Sequence, residues 1–359
     1  MMLFFWAFFL LAFSSSTAEI LGPLSDDFKQ WLNSNGYQTD DFEREDYGTQ
    51  GSYGGKSATA TMMERKNGKG PQQIFFIFPI LTFLFKKSNV KNTPVIFIHG
   101  NSDAALHLST TATGWTNSIQ YFLDNGYTQA ELYATSWGDT NTSNAIKRTH
   151  NCHDLLRLRR FMQAVLDYTG SPKVSFITHS MGVTLGRKLI KGGAVNGNDG
   201  SCNLGNPLTA KVDVFLGLAG ANYGLCNCEG AGVEEPTCNK KNGFWPGDTC
   251  GLNTYKCGLK PLPFPCNGPT YSSLLMNMNT DNVREASTVY SAWSQADDLI
   301  LYEDEVWGRP TSLIPTSNGK VVYKKYTHMQ TKENTAADQY LMVVNKTLPT
   351  SENSQISGY

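Results

Sequence analysis

A surplus of charge of either sign is missing from this chain. Thirty Lys and Arg stand against 31 Asp and Glu over 359 residues, for a formal net charge of −1. The basic residues are dispersed, so nothing points to a polyanion partner and nucleic acid is not expected as one. Long apolar runs are also missing. The two richest stretches, Met1–Phe13 and Ile74–Phe85, fall short of the roughly 20 residues that a helix needs to span a bilayer, so no stable membrane anchor is expected. No internal repeat is evident. Paired C-x-x-C knuckles are absent and the cysteine-rich region holds no histidine, which sets aside a zinc site. Histidine is scarce altogether, with six residues in the chain.

What is present points outward from the cell. Met1–Phe13 is almost wholly apolar and Ser14–Ala18 follows with small side chains, in which Ser16-Thr-Ala18 suits signal peptidase. Residues 1–18 therefore read as a signal peptide, although no Lys or Arg precedes the apolar run. Eight cysteines, at 152, 202, 226, 228, 238, 250, 257 and 266, are an even set suited to disulfides in an oxidising compartment, with connectivity left open. Asn141-Thr-Ser143 and Asn345-Lys-Thr347 are glycosylation sequons. A secreted, extracellular, disulfide-bonded glycoprotein is the expectation, with residues 19–359 as one domain.

Within that domain, short apolar runs alternate with helical patterns. Pro94–Ile98, Leu132–Trp137, Lys173–Thr178 and Val212–Leu218 read as buried strands. Trp115–Leu123, closed by Gly126, and Leu155–Tyr168, closed by Gly170, read as helices. This alternation predicts an α/β fold with a mostly parallel sheet flanked by helices. It breaks at residues 221–270, which hold six cysteines and many Gly and Pro, and reads as a disulfide-rich cap insertion. It resumes with a strand at Ser287–Trp293 and a final helix over Asn334–Val344, while residues 24–60 read as a surface-wrapping segment. Ile74–Phe85 fits poorly: it is a buried strand, an exposed lipid-docking loop, or a segment foreign to the mature protein.

The chemistry centres on Lys173-Val-Ser-Phe-Ile-Thr-His-Ser-Met-Gly182. A strand, a sharp turn and a helix would expose the hydroxyl of Ser180, as in a G-x-S-x-G elbow, with Gly182 at the second glycine position and Thr178 at the first. A serine hydroxyl needs a base, and His328 is the one histidine after position 180, in a predicted loop before the last helix. An orienting carboxylate should follow the Ser287–Trp293 strand, where Asp297 and Asp298 are adjacent candidates. The N–H groups of Met181 and Asn101 would receive an oxyanion, with His99 and Gly100 shaping the turn that carries Asn101. The acidic run Asp297, Asp298, Glu303, Asp304 and Glu305 lacks spaced calcium ligands and reads as a solvated loop. No metal or organic cofactor is required.

Pro94–Asp103, Glu131–Gly138, Ile177–Val183, Val289–Asp297 and His328–Thr335 together resemble the class 2 lipase family, across most of residues 94–345. The resemblance implies an α/β-hydrolase fold and carboxylic ester hydrolysis by a Ser, Asp, His triad, and favours Asp297 over Asp298 through its Ala-Asp-x-apolar-apolar pattern. It implies a lipid or ester substrate, met in solution or at a lipid–water interface, with triacylglycerol foremost. A carboxylesterase acting on soluble esters and a non-catalytic secreted lipid-binding protein stay open. The family's spacer before the Pro-Val-Ile-Phe strand is shorter than here, which bears on residues 74–85.

Overall fold

Runs of β-branched and aromatic residues become strands buried on both faces. The computed structural model describes residues 20, 22–57, 90–231, 234–247, 256–259, 270–350 and 354–358. The signal-peptide expectation, the 74–85 run, Cys250 and Cys266 lie outside them. Eight strands, β1 (Ser52–Tyr53), β2 (Val95–Ile98), β3 (Leu132–Thr135), β4 (Val174–His179), β5 (Val212–Leu218), β6 (Thr288–Ser294), β7 (Gly319–Tyr323) and β8 (Ser354–Gly358), form one sheet in the order β1-β3-β2-β4-β5-β6-β7-β8. The inner pairings are parallel and only the edge pairs β1–β3 and β7–β8 are antiparallel.

Period-two alternation divides the apolar side chains between two cores. Ile96, Ile98, Val174, Phe176 and Phe215 pack on one side; Val95, Phe97, Ile177, Val214 and Leu216 pack on the other. The first side is covered by α1 (Asp26–Ser34), α3 (Cys152–Thr169), α4 (Met181–Lys191) and α5 (Ser273–Thr280), and the second by α2 (Thr116–Asp124) and the turn Leu341–Asn345. Helix α3 buries Leu155, Leu158, Met162 and Val165 along one stripe and stops at Gly170, whose φ of 65° is open to glycine at little cost. Truncating a central side chain such as Phe176 to Ala should cost about 3–5 kcal/mol.

Several elements differ from the sequence reading, which anticipated neither α5 nor β8. The N-terminal segment is more than a surface wrap: Phe28 of α1 is fully buried against Tyr133 and Tyr168, and Tyr53 enters the second core. A hairpin, Ala194–Gly197 with Gly200–Asn203, was unforeseen, as was β7, which lies between the strand carrying the acids and His328. The predicted helix over 334–344 starts earlier, as α6 (His328–Glu333), breaks at Asn334 and Thr335, and continues as α7 (Ala336–Tyr340) into a wider turn over Leu341–Asn345. Thr327 and Gln330 cap α6 reciprocally, which is why His328 opens a helix instead of sitting in a loop.

The six cysteines among the described residues pair as Cys152–Cys202, Cys226–Cys257 and Cys228–Cys238. The first ties the start of α3 to the unforeseen hairpin; the other two staple the inserted segment after β5. With loops of 50, 31 and 10 residues, loop-closure entropy puts each at about 3–4 kcal/mol. Among the described residues no helix is long and apolar enough to cross a membrane.

Candidate active site

Strand β4 delivers Ser180 to the start of α4 with φ 55° and ψ −129°. A non-glycine residue held there is strained, and the neighbours explain how the turn closes so tightly. A Cβ on Gly182 would stand 2.4 Å from the carbonyl oxygen of His99 and 2.5 Å from that of Ile98, so only glycine lets α4 approach the end of β2. The threonine in the first glycine position is accommodated at a distance. The buried Thr178 hydroxyl donates to the Leu216 carbonyl at 2.9 Å, and its methyl occupies space opened by Gly186, where a Cβ would come within 3.1 Å of it.

Asp297 and His328 meet. The ring Nδ1–H of His328 donates to Asp297 Oδ2 at 2.7 Å, and the other oxygen, Oδ1, accepts from the N–H groups of Leu299 (2.9 Å) and Ile300 (2.7 Å). Burial pushes the Asp297 carboxyl up, but these hydrogen bonds outweigh it and hold the group below the usual carboxylate range. Asp298 is exposed and does something else: it accepts the backbone N–H of His328 at 2.9 Å. The other ring nitrogen, Nε2, is buried without a hydrogen-bond partner.

Ser180, Met181, Asn101 and His328 all line one cavity of about 490 Å³. Its walls are mainly apolar, including Ile146, Leu225, Phe244, Leu299 and Ile300, with Leu225 and Phe244 coming from the disulfide-stapled insertion. Met181 is the first residue of α4, so its N–H has no partner inside the helix. The Asn101 side chain is fixed by Arg148, which donates to Oδ1 at 2.5 Å, and by the Ala145 carbonyl, which accepts from Nδ2 at 3.0 Å. Arg148 in turn pairs with Asp139.

Lys332 and His179 also shape the site, although the sequence reading gave them no role. Lys332, one turn along α6 from His328, reaches Asp103 Oδ2 at 2.5 Å and the Gly114 carbonyl at 2.6 Å. This fully buried pair joins the histidine helix to the segment carrying Asn101. The i, i+4 spacing of His328 and Lys332 was the available signal, but nothing local identified Asp103 as its partner. His179 donates from Nε2 to the His328 carbonyl at 3.1 Å; burial, reinforced by His328 and Lys332, keeps it neutral with a pKa well below the ordinary histidine value. His99 is also buried, accepting from Trp137 N–H at Nε2 (2.9 Å) and contacting the Gly100 carbonyl through Nδ1 (2.7 Å), so it is committed to the turn.

The acidic run is solvated only in part: Asp298 and Glu303 are exposed, whereas Asp297 and Asp304 are buried. Asp304 is fully buried and accepts from Ser312 N–H and Oγ–H, while Asp297 and Asp298 are spent on His328. The described residues contain no cluster of three or more His, Cys, Asp or Glu arranged to hold a metal.

A strained serine at the strand-to-helix turn of a mostly parallel eight-stranded sheet, with an Asp–His pair at the same cavity, defines an α/β-hydrolase. The family profile described as "Lipase (class 2)" matches residues 92–341, and the chain belongs to that family, whose chemistry is carboxylic ester hydrolysis. Among solved structures it is similar to mature lipase BlEst2 of Bacillus licheniformis, with 12% identity and a TM-score of 0.44 over 72% of this chain and 95% of that one. It is also similar to Aspergillus fumigatus lipase B, with 10% identity and a TM-score of 0.44 over 75% and 56%.

Proposed function

We propose that this hydrolase is a secreted triacylglycerol lipase working through Ser180, His328 and Asp297. The observation that carries the triad is the His328–Asp297 bond of 2.7 Å combined with an unpartnered Nε2 on a ring that shares the cavity with Ser180. Asp297 fixes Nδ1 as the protonated nitrogen, leaving Nε2 as the base for the Ser180 hydroxyl. Attack on the ester carbonyl places negative charge on its oxygen, which the N–H groups of Met181 and Asn101 receive. His328 then passes the proton to the departing alcohol, and water repeats the sequence on the acyl-enzyme.

The triacylglycerol assignment draws on the apolar walls and on Ile146 and Leu299, which line the cavity yet are 45% and 49% exposed. Secretion draws on the three disulfides and on the N-terminal apolar run Met1–Phe13, with residues 1–18 removed as a signal peptide. Residues 221–270 would serve as a cap on the single domain. The test compares p-nitrophenyl esters and triacylglycerol emulsions with wild type and Ser180→Ala, alongside fluorophosphonate labelling. Loss of turnover and labelling together in the variant supports the triad. Turnover that does not rise above the substrate's solubility limit turns the assignment to a soluble-ester carboxylesterase, and a wild type that neither turns over nor labels refutes the enzyme reading.

A further inference from the structure

The two sequons lie at opposite ends of the sheet. Asn345 is exposed beside Lys346, whose carbonyl accepts the Tyr290 hydroxyl and whose amine pairs with Asp213, near the N-terminal ends of β5 and β6. That is the end remote from Ser180. Asn141 instead follows the C-terminal end of β3, and the residues one, four and five positions beyond it, Thr142, Ala145 and Ile146, line the same cavity as Ser180.

Asn141 is well presented. It is exposed, its Oδ1 accepts the Ser143 N–H at 3.0 Å, and its Nδ2 donates to nothing among the described residues. Its carbonyl accepts from Arg148 at 2.9 Å and from Ser102 at 3.4 Å, the residue after Asn101. The attachment point is therefore held against the turn that would carry the oxyanion donor. Consecutive Cα atoms stand about 3.8 Å apart, so a sugar chain on Asn141 begins one residue from the cavity wall.

We infer that Asn141 carries an N-linked glycan that stands at the mouth of the cavity and hinders adsorption of this face to aggregated lipid, while leaving small dissolved esters free to enter. A glycan is bulky and hydrated, and here it adjoins Ile146, an exposed apolar side chain that would meet a lipid surface. The inference rests on the reading of the protein as secreted and lipid-directed. A glycan on Asn345 has no such effect.

The experiment uses full-length protein secreted from a eukaryotic host, in a Ser180→Ala background so that adsorption is read without catalysis. Peptide mapping before and after enzymatic deglycosylation reports occupancy at Asn141. Adsorption to a triolein emulsion is then measured for Asn141→Gln, Ser143→Ala and Asn345→Gln. Ser143→Ala removes the sequon but keeps the Asn141 side chain and its bond to the backbone N–H of position 143, so it separates loss of sugar from loss of the turn. Occupancy at Asn141, with adsorption raised about threefold or more in both Asn141→Gln and Ser143→Ala and unchanged in Asn345→Gln, supports the inference. An unmodified Asn141, or equal adsorption in all four proteins, overturns it. Turnover of a short soluble ester by the Ser180 protein is a separate readout, and its failure would count against the hydrolase reading alone.

Discussion

Acidification should loosen this protein well before its carboxylates titrate, because buried histidines carry the effect. His99 and His150 are fully buried and neutral, with pKa values lowered by burial from 6.5 to about 4, and His179 is shifted the same way. The His150 ring meets the Asn242 carbonyl at Nδ1 and the Thr184 hydroxyl at Nε2, each at 2.7 Å, joining α4 to the disulfide-stapled segment. Below pH 6.5 the unfolded chain takes up protons that these rings refuse in the folded state. Stability from a lowered histidine is complete above the unfolded pKa and declines as pH falls toward the folded one. A shift from 6.5 to about 4 gives about 2 kcal/mol lost per ring between pH 8 and pH 5, hence about 4 kcal/mol for His99 and His150, with His179 adding to it. That is a large share of an ordinary stability of about 5–15 kcal/mol. Equilibrium urea unfolding with disulfides intact at pH 8, 6.5 and 5 measures it, and imidazole NMR titration locates the rings. A fall below about 1 kcal/mol, or His99 and His150 titrating near 6.5 in the folded protein, would refute the reasoning.

Asp297→Asn should lower kcat by about 10⁴-fold through loss of the ring's orientation, whereas Asp298→Asn, which weakens one bond to the His328 N–H, should cost about 10-fold; equal losses in steady-state kinetics would end the distinction. Lys332→Met leaves Asp103 buried without its cation and should destabilise by about 3–5 kcal/mol in urea unfolding, with much of that recovered in Lys332→Met/Asp103→Asn; a double variant worse than the single would contradict it. Gly186→Ala crowds the Thr178 methyl and the Phe215 ring and should cost about 1–3 kcal/mol, and adding Thr178→Ser, which removes that methyl but keeps the hydroxyl, should return part of it by the same measurement.

The parallel core was legible because its strands are apolar on both faces and each intervening helix has a periodic stripe and a glycine stop, as at Gly126 and Gly170. Thr288–Ser294 was legible for the same reason. Strand β7 was not: Gly319-Lys-Val-Val-Tyr323 is short, opens on glycine and carries a lysine, and its place is fixed by parallel pairing with β6. The hairpin after α4 did carry a local signal, Asn198-Asp-Gly200 at its turn, and so did α6, in Thr327 and Gln330. At the site, the meeting of Asp297 with His328, and of His328 with Ser180 at one cavity, could be anticipated from residue type and order along the chain. Lys332–Asp103, Arg148–Asn101 and His179–His328 could not, because each joins positions whose proximity exists only after the sheet has formed.

The threonine at position 178 has a consequence for how such elbows change over time. Its methyl, the Phe215 ring and the missing side chain of Gly186 share one steric allowance between two neighbouring strands and the second turn of a helix. Position 186 can grow only if residue 178 shrinks and the Phe215 ring gives way. A lineage could therefore pass between glycine and threonine at 178 by way of residue 186, with the serine between them keeping its backbone geometry throughout. The inherited constraint is the combined volume at 178, 186 and 215, so the three positions should vary together even though none of them lines the cavity.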